Sequence, residues 1–119
     1  GMQAATQLLS YGAALRPSAF VCVTDALALG VYQAAETQGL QVGRDVSVIG
    51  FGNSSTAEFA DPPLASIDQA LSDSGRYLAR TLLQVIQSPS AAPPQHLEKP
   101  KLVVRASVGP YRAATMPAP

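Results

Sequence analysis

Apolar runs and polar breaks along the chain set out a strand, a helix and a second strand in its first half. Residues 20–23 (FVCV) and 46–50 (VSVIG) are short, mostly apolar and rich in β-branched side chains, as strands covered on both faces are. Residues 26–38 between them are apolar almost all round, with Ala28, Leu29, Val31, Tyr32 and Ala35, and they stop at Gly39. Such a pattern predicts a helix covered on more than one side, by a second layer or by a partner subunit. Strand, helix and strand make a βαβ unit, two parallel strands joined by a crossover helix. An earlier helix is predicted over 3–15, closed by Arg16-Pro17, because the residue before a proline is pushed out of the helical region.

The second half is punctuated differently. GNSSTAEFADPP over 52–63 is rich in turn formers, with one short helical turn expected over 55–60 and a brief strand at 64–67. Leu71, Gly75, Leu78, Ala79, Leu82, Val85 and Ile86 follow helical spacing, which predicts an amphipathic helix over 72–87, capped by Ser72, whose stripe needs a sheet to lie on. SPSAAPP over 88–94 reads as an exposed loop, and 97–108 contains a last strand, LVVRASV. The expected organisation is one partial domain over 1–108 and a flexible tail over 109–119, α/β in class, with a parallel sheet carrying helices on both faces.

Open parallel sheets bind small molecules in the crevice outside the carboxyl ends of their strands. That selects Thr24 and Asp25 after the first strand, and Phe51, Gly52 and Asn53 after the second. Asp25 also stands where a helix N-cap should, a role that needs nothing beyond local geometry. Phe51 fits the core at least as well as a stacking contact, whereas Thr24 and Asn53 are placed equally for ligand and for structure. Ser54 and Ser55 read as turn residues or caps, and Arg105 is expected to reach solvent or to pair with a nearby acid, Asp68 being one candidate.

Composition narrows the classes. Of 119 residues 47% are hydrophobic and 13% charged, and the eight Lys and Arg offset eight Asp and Glu, so the chain lacks the clustered positive charge with which proteins hold nucleic-acid backbones. DNA binding by this chain alone is not expected. The single Cys22 excludes an internal disulfide and lies inside an apolar run. His96 has no partner at metal-ligand spacing, and there is no phosphate loop or nucleophile elbow. The expectation is a non-enzyme with no metal and no cofactor. No stretch approaches the roughly 20 apolar residues of a membrane span, and the first residues lack the layout of a secretion signal, so a soluble, cytoplasmic protein is expected.

Four pieces in a fixed order, AFVCVTDALALGVYQAAETQGL, VGRDVSVIGFGN, DPPLASIDQALSDSGRYLARTLL and KLVVRASVGP, resemble the carboxyl-terminal part of the LacI/GalR family of transcriptional repressors. The resemblance covers most of the chain and implies the type I periplasmic-binding-protein fold, here about one lobe of it. It implies a carbohydrate-like effector held between two lobes, a homodimer, and DNA contact only through a headpiece absent from this chain. Relatives carry Asn-Asp where this chain has Thr24-Asp25, and an Asp where this chain has Gly52, ahead of Asn53. The sugar-gripping amide and carboxylate are therefore missing here, which implies a different effector or a weakened site, and glycine at this place occurs in relatives that resemble gluconate-type repressors, which leaves sugar acids open as ligands. In relatives the helix after the Asn-Asp pair and the segment before Pro-Pro form the dimer interface. Carried over, that gives Ala28, Leu29, Tyr32, Ala35 and Phe59. It also implies that the 72–87 helix crosses to the other lobe in relatives. The alternative with the same fold is a periplasmic sugar-binding protein of a transport system.

Overall fold

A computed structural model describes residues 1–12, 14–89, 92 and 94–111. Along the chain it forms α1 (Met2–Leu9), β1 (Ala19–Val21), α2 (Asp25–Thr37), β2 (Ser47–Phe51), α3 (Ser55–Glu58), β3 (Ala65–Asp68), α4 (Leu71–Gln87) and β4 (Lys101–Val103). The strands lie in the order β1-β2-β3-β4, with β1, β2 and β3 parallel and β4 antiparallel to β3. The βαβ unit is present as expected, and so is the single helical turn after β2. Most of the tail expected over 109–119, from 112 onward, lies outside the described residues.

Burial alternates along β2 because successive side chains point to opposite faces. Val48 and Gly50 are buried on the side where α2 lies, while Ser47, Ile49 and Phe51 are half-buried on the other. The apolar girth of α2 is explained within the chain: α2 packs on β1 and β2 along one side and on α1 along another, with Ala5, Leu9, Ala28, Val31, Ala34 and Ala35 in one core with Val46, Val48 and Leu64. Ala28 and Ala35, expected at a subunit interface, are fully buried in that core and have no surface to give a partner.

Several expectations are corrected. Helical cover lies on the Val48 face only, and among the described residues no helix packs on the Ser47 and Ile49 face. Consequently β1 is not buried on both faces. It is an edge strand paired with β2 alone, and Val21 and Val23 are each 76% exposed. α1 ends at Leu9, where the Ser10 hydroxyl turns back on the Gln7 carbonyl and Gly12 follows. β4 covers three residues, so Arg105 lies beyond it.

α4 is also where expected, with no Ser72 cap. Its N-cap is Ala70, at φ 51° in the left-handed region, whose amide donates to Asp68 Oδ1 at 2.8 Å. None of its residues is buried. The helix stands off the body as an arm, giving extents of 73 × 28 × 23 Å and a radius of gyration of 19.7 Å, where a compact chain of this length has about 13.5 Å.

Candidate functional site

The carboxyl ends of β1, β2 and β3 lie side by side, so Thr24 and Asp25, Gly52 and Asn53, and Asp68 converge at one end of the sheet. Thr24, not Asp25, is the N-cap of α2: its extended backbone lets Oγ1 accept from the Leu27 amide at 3.2 Å. The Asp25 carboxylate, 4% exposed, turns away from its own helix. One oxygen accepts from the Ser66 hydroxyl at 2.5 Å and the other from the Ser54 amide at 2.7 Å, so both are occupied by β3 and by the loop after β2. Burial pushes this carboxyl up, yet the hydrogen bonds from Ser66 and Ser54 and the charge of Arg105 outweigh it and hold it below its ordinary value.

The glycines around Asp25 make room for it. Gly50 sits directly beneath the Asp25 carboxylate, and a Cβ there would run into Oδ1 and into Leu64. Gly52 follows at φ 121°, a backbone region that other residues enter only under strain. An Asp at this position would meet that strain. Asn53 then adopts φ 49°, which asparagine tolerates.

Asn53 is saturated from three sides. Its amide nitrogen donates to Ser66 Oγ at 3.0 Å, its Nδ2 donates to Asp68 Oδ2 at 3.2 Å, and its Oδ1 accepts from Arg105 at 2.8 Å. Arg105 donates also to the Leu64 carbonyl at 2.8 Å, so the expected Arg105–Asp68 pair is replaced by a relay through Asn53. Phe51 is half-buried, and Phe59 is 83% exposed. Tyr32 is half-buried, with its hydroxyl donating to the Pro62 carbonyl at 2.9 Å.

The family model for a periplasmic binding protein-like domain matches residues 1–108. The chain belongs to this family. The ribose operon repressor of Haemophilus influenzae is 36% identical over 93 residues, covering 78% of this chain and 28% of that protein. Among solved structures, the LacI family transcriptional regulator of Enterococcus faecium with bound ribose superimposes with a TM-score of 0.83 at 27% identity, covering 93% of this chain and 40% of that one. The lac repressor dimer bound to operator and the anti-inducer ONPF gives 0.80 at 31% identity, covering 92% and 37%. The resemblance to LacI/GalR regulators read from the sequence stands, and the relatives found are regulators rather than enzymes. The chain spans only 28% of the length of that curated relative.

Two residues of this periplasmic binding protein-like domain escaped the sequence reading. Ser66 bridges Asp25 and Asn53 from the middle of β3. Ser107, fully buried, donates to the Val48 carbonyl at 2.6 Å and accepts from the Ala65 amide at 2.8 Å, closing the gap between β2 and β3. The available signal was a small hydroxyl residue inside an apolar run, ASI and ASV, where a buried side chain must find partners. His96, expected to be alone, bonds Glu98 at 2.9 Å and lies 4.5 Å from the Tyr77 ring. Among the described residues no group of His, Cys, Asp and Glu could hold a metal ion, and no helix is long and apolar enough to cross a membrane.

Proposed function

We propose that the chain is the effector-binding and dimerisation part of a LacI-type transcriptional regulator, supplying one wall of a cleft for a small sugar or sugar acid. The observation that carries this reading is the convergence of Thr24, Gly52, Asn53 and Asp68 at the ends of three parallel strands, in a domain whose relatives are repressors and whose ribose-bound neighbour shares its fold. In this reading Thr24, Gly52 and Asn53 line the cleft, Phe51 closes its floor, and Asp25 holds the rim in place without touching the ligand. Gly52 brings no carboxylate to the rim, which favours an effector that itself carries negative charge or fewer hydroxyls on this side.

The dimer contact falls to the remaining surface of α2 and the loop before Pro62, namely Leu29, Tyr32 and Phe59. Effector binding would favour one arrangement of two lobes, and that difference in affinity would shift DNA binding by a headpiece in the cytoplasm. Sequencing the gene upstream of residue 1 tests the reading. A helix-turn-helix in frame is the expected result. A secretion signal in its place would overturn it in favour of a transport-associated sugar-binding protein.

A further inference from the structure

Among the described residues only Asn53 and Ala70 hold a positive φ without being glycine, at 49° and 51°. Asparagine tolerates that region, whereas the Cβ of alanine crowds the following carbonyl there, so Ala70 keeps its backbone only while its neighbours hold it. One side chain holds both residues. Asp68, at the end of β3, accepts from the Ala70 amide with Oδ1 at 2.8 Å and from Asn53 Nδ2 with Oδ2 at 3.2 Å. Asn53 is oriented in turn by Arg105, which donates to Asn53 Oδ1 at 2.8 Å and so decides which end of the amide is left to meet the carboxylate. All four residues are half-buried. Beyond the joint, the Ala70 carbonyl accepts from the Asp73 and Ser74 amides at 3.0 and 2.9 Å, so the turn taken at Ala70 is passed directly to the first turn of α4.

We propose that Arg105, Asn53 and Asp68 form a latch on a two-position joint at Ala70. Closed, the Asp68 carboxylate spans Asn53 and Ala70, and the joint is left-handed. When the Asn53 amide is withdrawn, Asp68 loses its second anchor and Ala70 relaxes to the right-handed or extended backbone that alanine prefers, which re-aims the chain entering α4. The loop after β2 and the start of α4 thereby share one equilibrium. The polarity of the chain of bonds explains the residue at its centre: Arg105 needs an acceptor, Asp68 needs a donor, and asparagine supplies both from one short side chain while accepting a positive φ. Within the regulator reading Asn53 is the member that a bound effector would draw away. The latch itself does not rest on that reading, and its test uses no ligand.

NMR of the isotope-labelled 119-residue chain tests the latch at Ala70 directly. A positive φ brings a residue's own amide and Hα protons together, so a strong cross-peak between them marks the closed joint, and it is expected for wild-type Ala70 along with a slowly exchanging amide. Asn53→Ala leaves Asp68 and Ala70 untouched, yet should weaken that cross-peak and speed exchange of the Ala70 amide by at least about 10-fold. Asn53→Asp should do the same by setting two carboxylates face to face, and so should Asp68→Asn by setting two amides together. Combining Asn53→Asp with Asp68→Asn reverses the polarity of the bond and re-forms it, because the introduced carboxylate accepts both from Arg105 and from the introduced amide. Exchange at Ala70 should then return to within about 2-fold of wild type. The Ala35 and Val48 amides of the core report that the fold is intact. An Ala70 that keeps its wild-type cross-peak and exchange in Asn53→Ala overturns the latch, as does a double variant whose losses are the sum of the two single ones. If Asn53→Asp alone fails to fold, the double variant decides: one that folds with Ala70 left-handed supports the latch, and one that also fails to fold overturns it.

Discussion

α2 and α4 each follow a strand, yet α2 buries Asp25, Ala28, Val31, Ala34 and Ala35, and α4, the longer at 17 residues, buries none. By sequence α4 has the cleaner amphipathic stripe and α2 the more diffuse one. The difference lies in neighbours. α2 has both of its covers in the chain, the β1–β2 surface and α1, while among the described residues no element covers the stripe of α4. An apolar stripe therefore specifies that a helix will form and which side is sticky, but the stability it confers is realised only on contact.

The contrast between body and arm can be broken most severely at Asp25. Asp25→Ala strands the Ser54 amide and the Ser66 hydroxyl at a buried site and should cost about 3 kcal/mol, read as a lower denaturant midpoint. Ser107→Ala leaves the Ala65 amide without its partner between two strands and should cost about 2 kcal/mol in the same assay. Gly52→Asp restores the carboxylate of the related repressors against a backbone at φ 121°, and should lower stability by about 1–2 kcal/mol. On the arm, Leu82→Asp in dilute single chains should move the midpoint by less than about 0.5 kcal/mol, since it removes no buried contact.

Acid titration sharpens the same contrast. The Asp25 carboxyl is held below its ordinary value in the folded chain, so the unfolded chain binds its proton first as pH falls. Its contribution is complete above the ordinary carboxylate range and is lost as pH drops through the lower folded value. Asp25→Asn should therefore flatten the acid side of the stability profile measured by urea unfolding.

What the sequence made legible follows from how local each signal is. The βαβ unit, the one-turn α3 and the extent of α4 rest on spacing within a segment, and their boundaries fell within a residue or two. The convergence of Thr24, Gly52 and Asn53 was legible because strand ends in a parallel sheet share a side. Asp25 was misassigned because N-cap and first-turn positions are adjacent and both favour a carboxylate, and the choice went to Thr24 once Ser54 and Ser66 claimed Asp25. The edge position of β1 was not legible, because FVCV reads the same whether or not another strand lies beside it. Nor were Ser66 and Ser107, whose partners are 13 to 59 residues away.

The bonds made by Asp25 have a mechanical side. One carboxylate ties the first turn of α2 to the exit loop of β2 and, through Ser66, to β3 and the backbone of Asn53. The rim of the crevice and the start of α2 are thus a single rigid joint with no slack hinge between them. A pull on Asn53 is felt as torque on the helix that carries Leu29 and Tyr32, so the ends of the strands and the exposed side of α2 turn on the same pin.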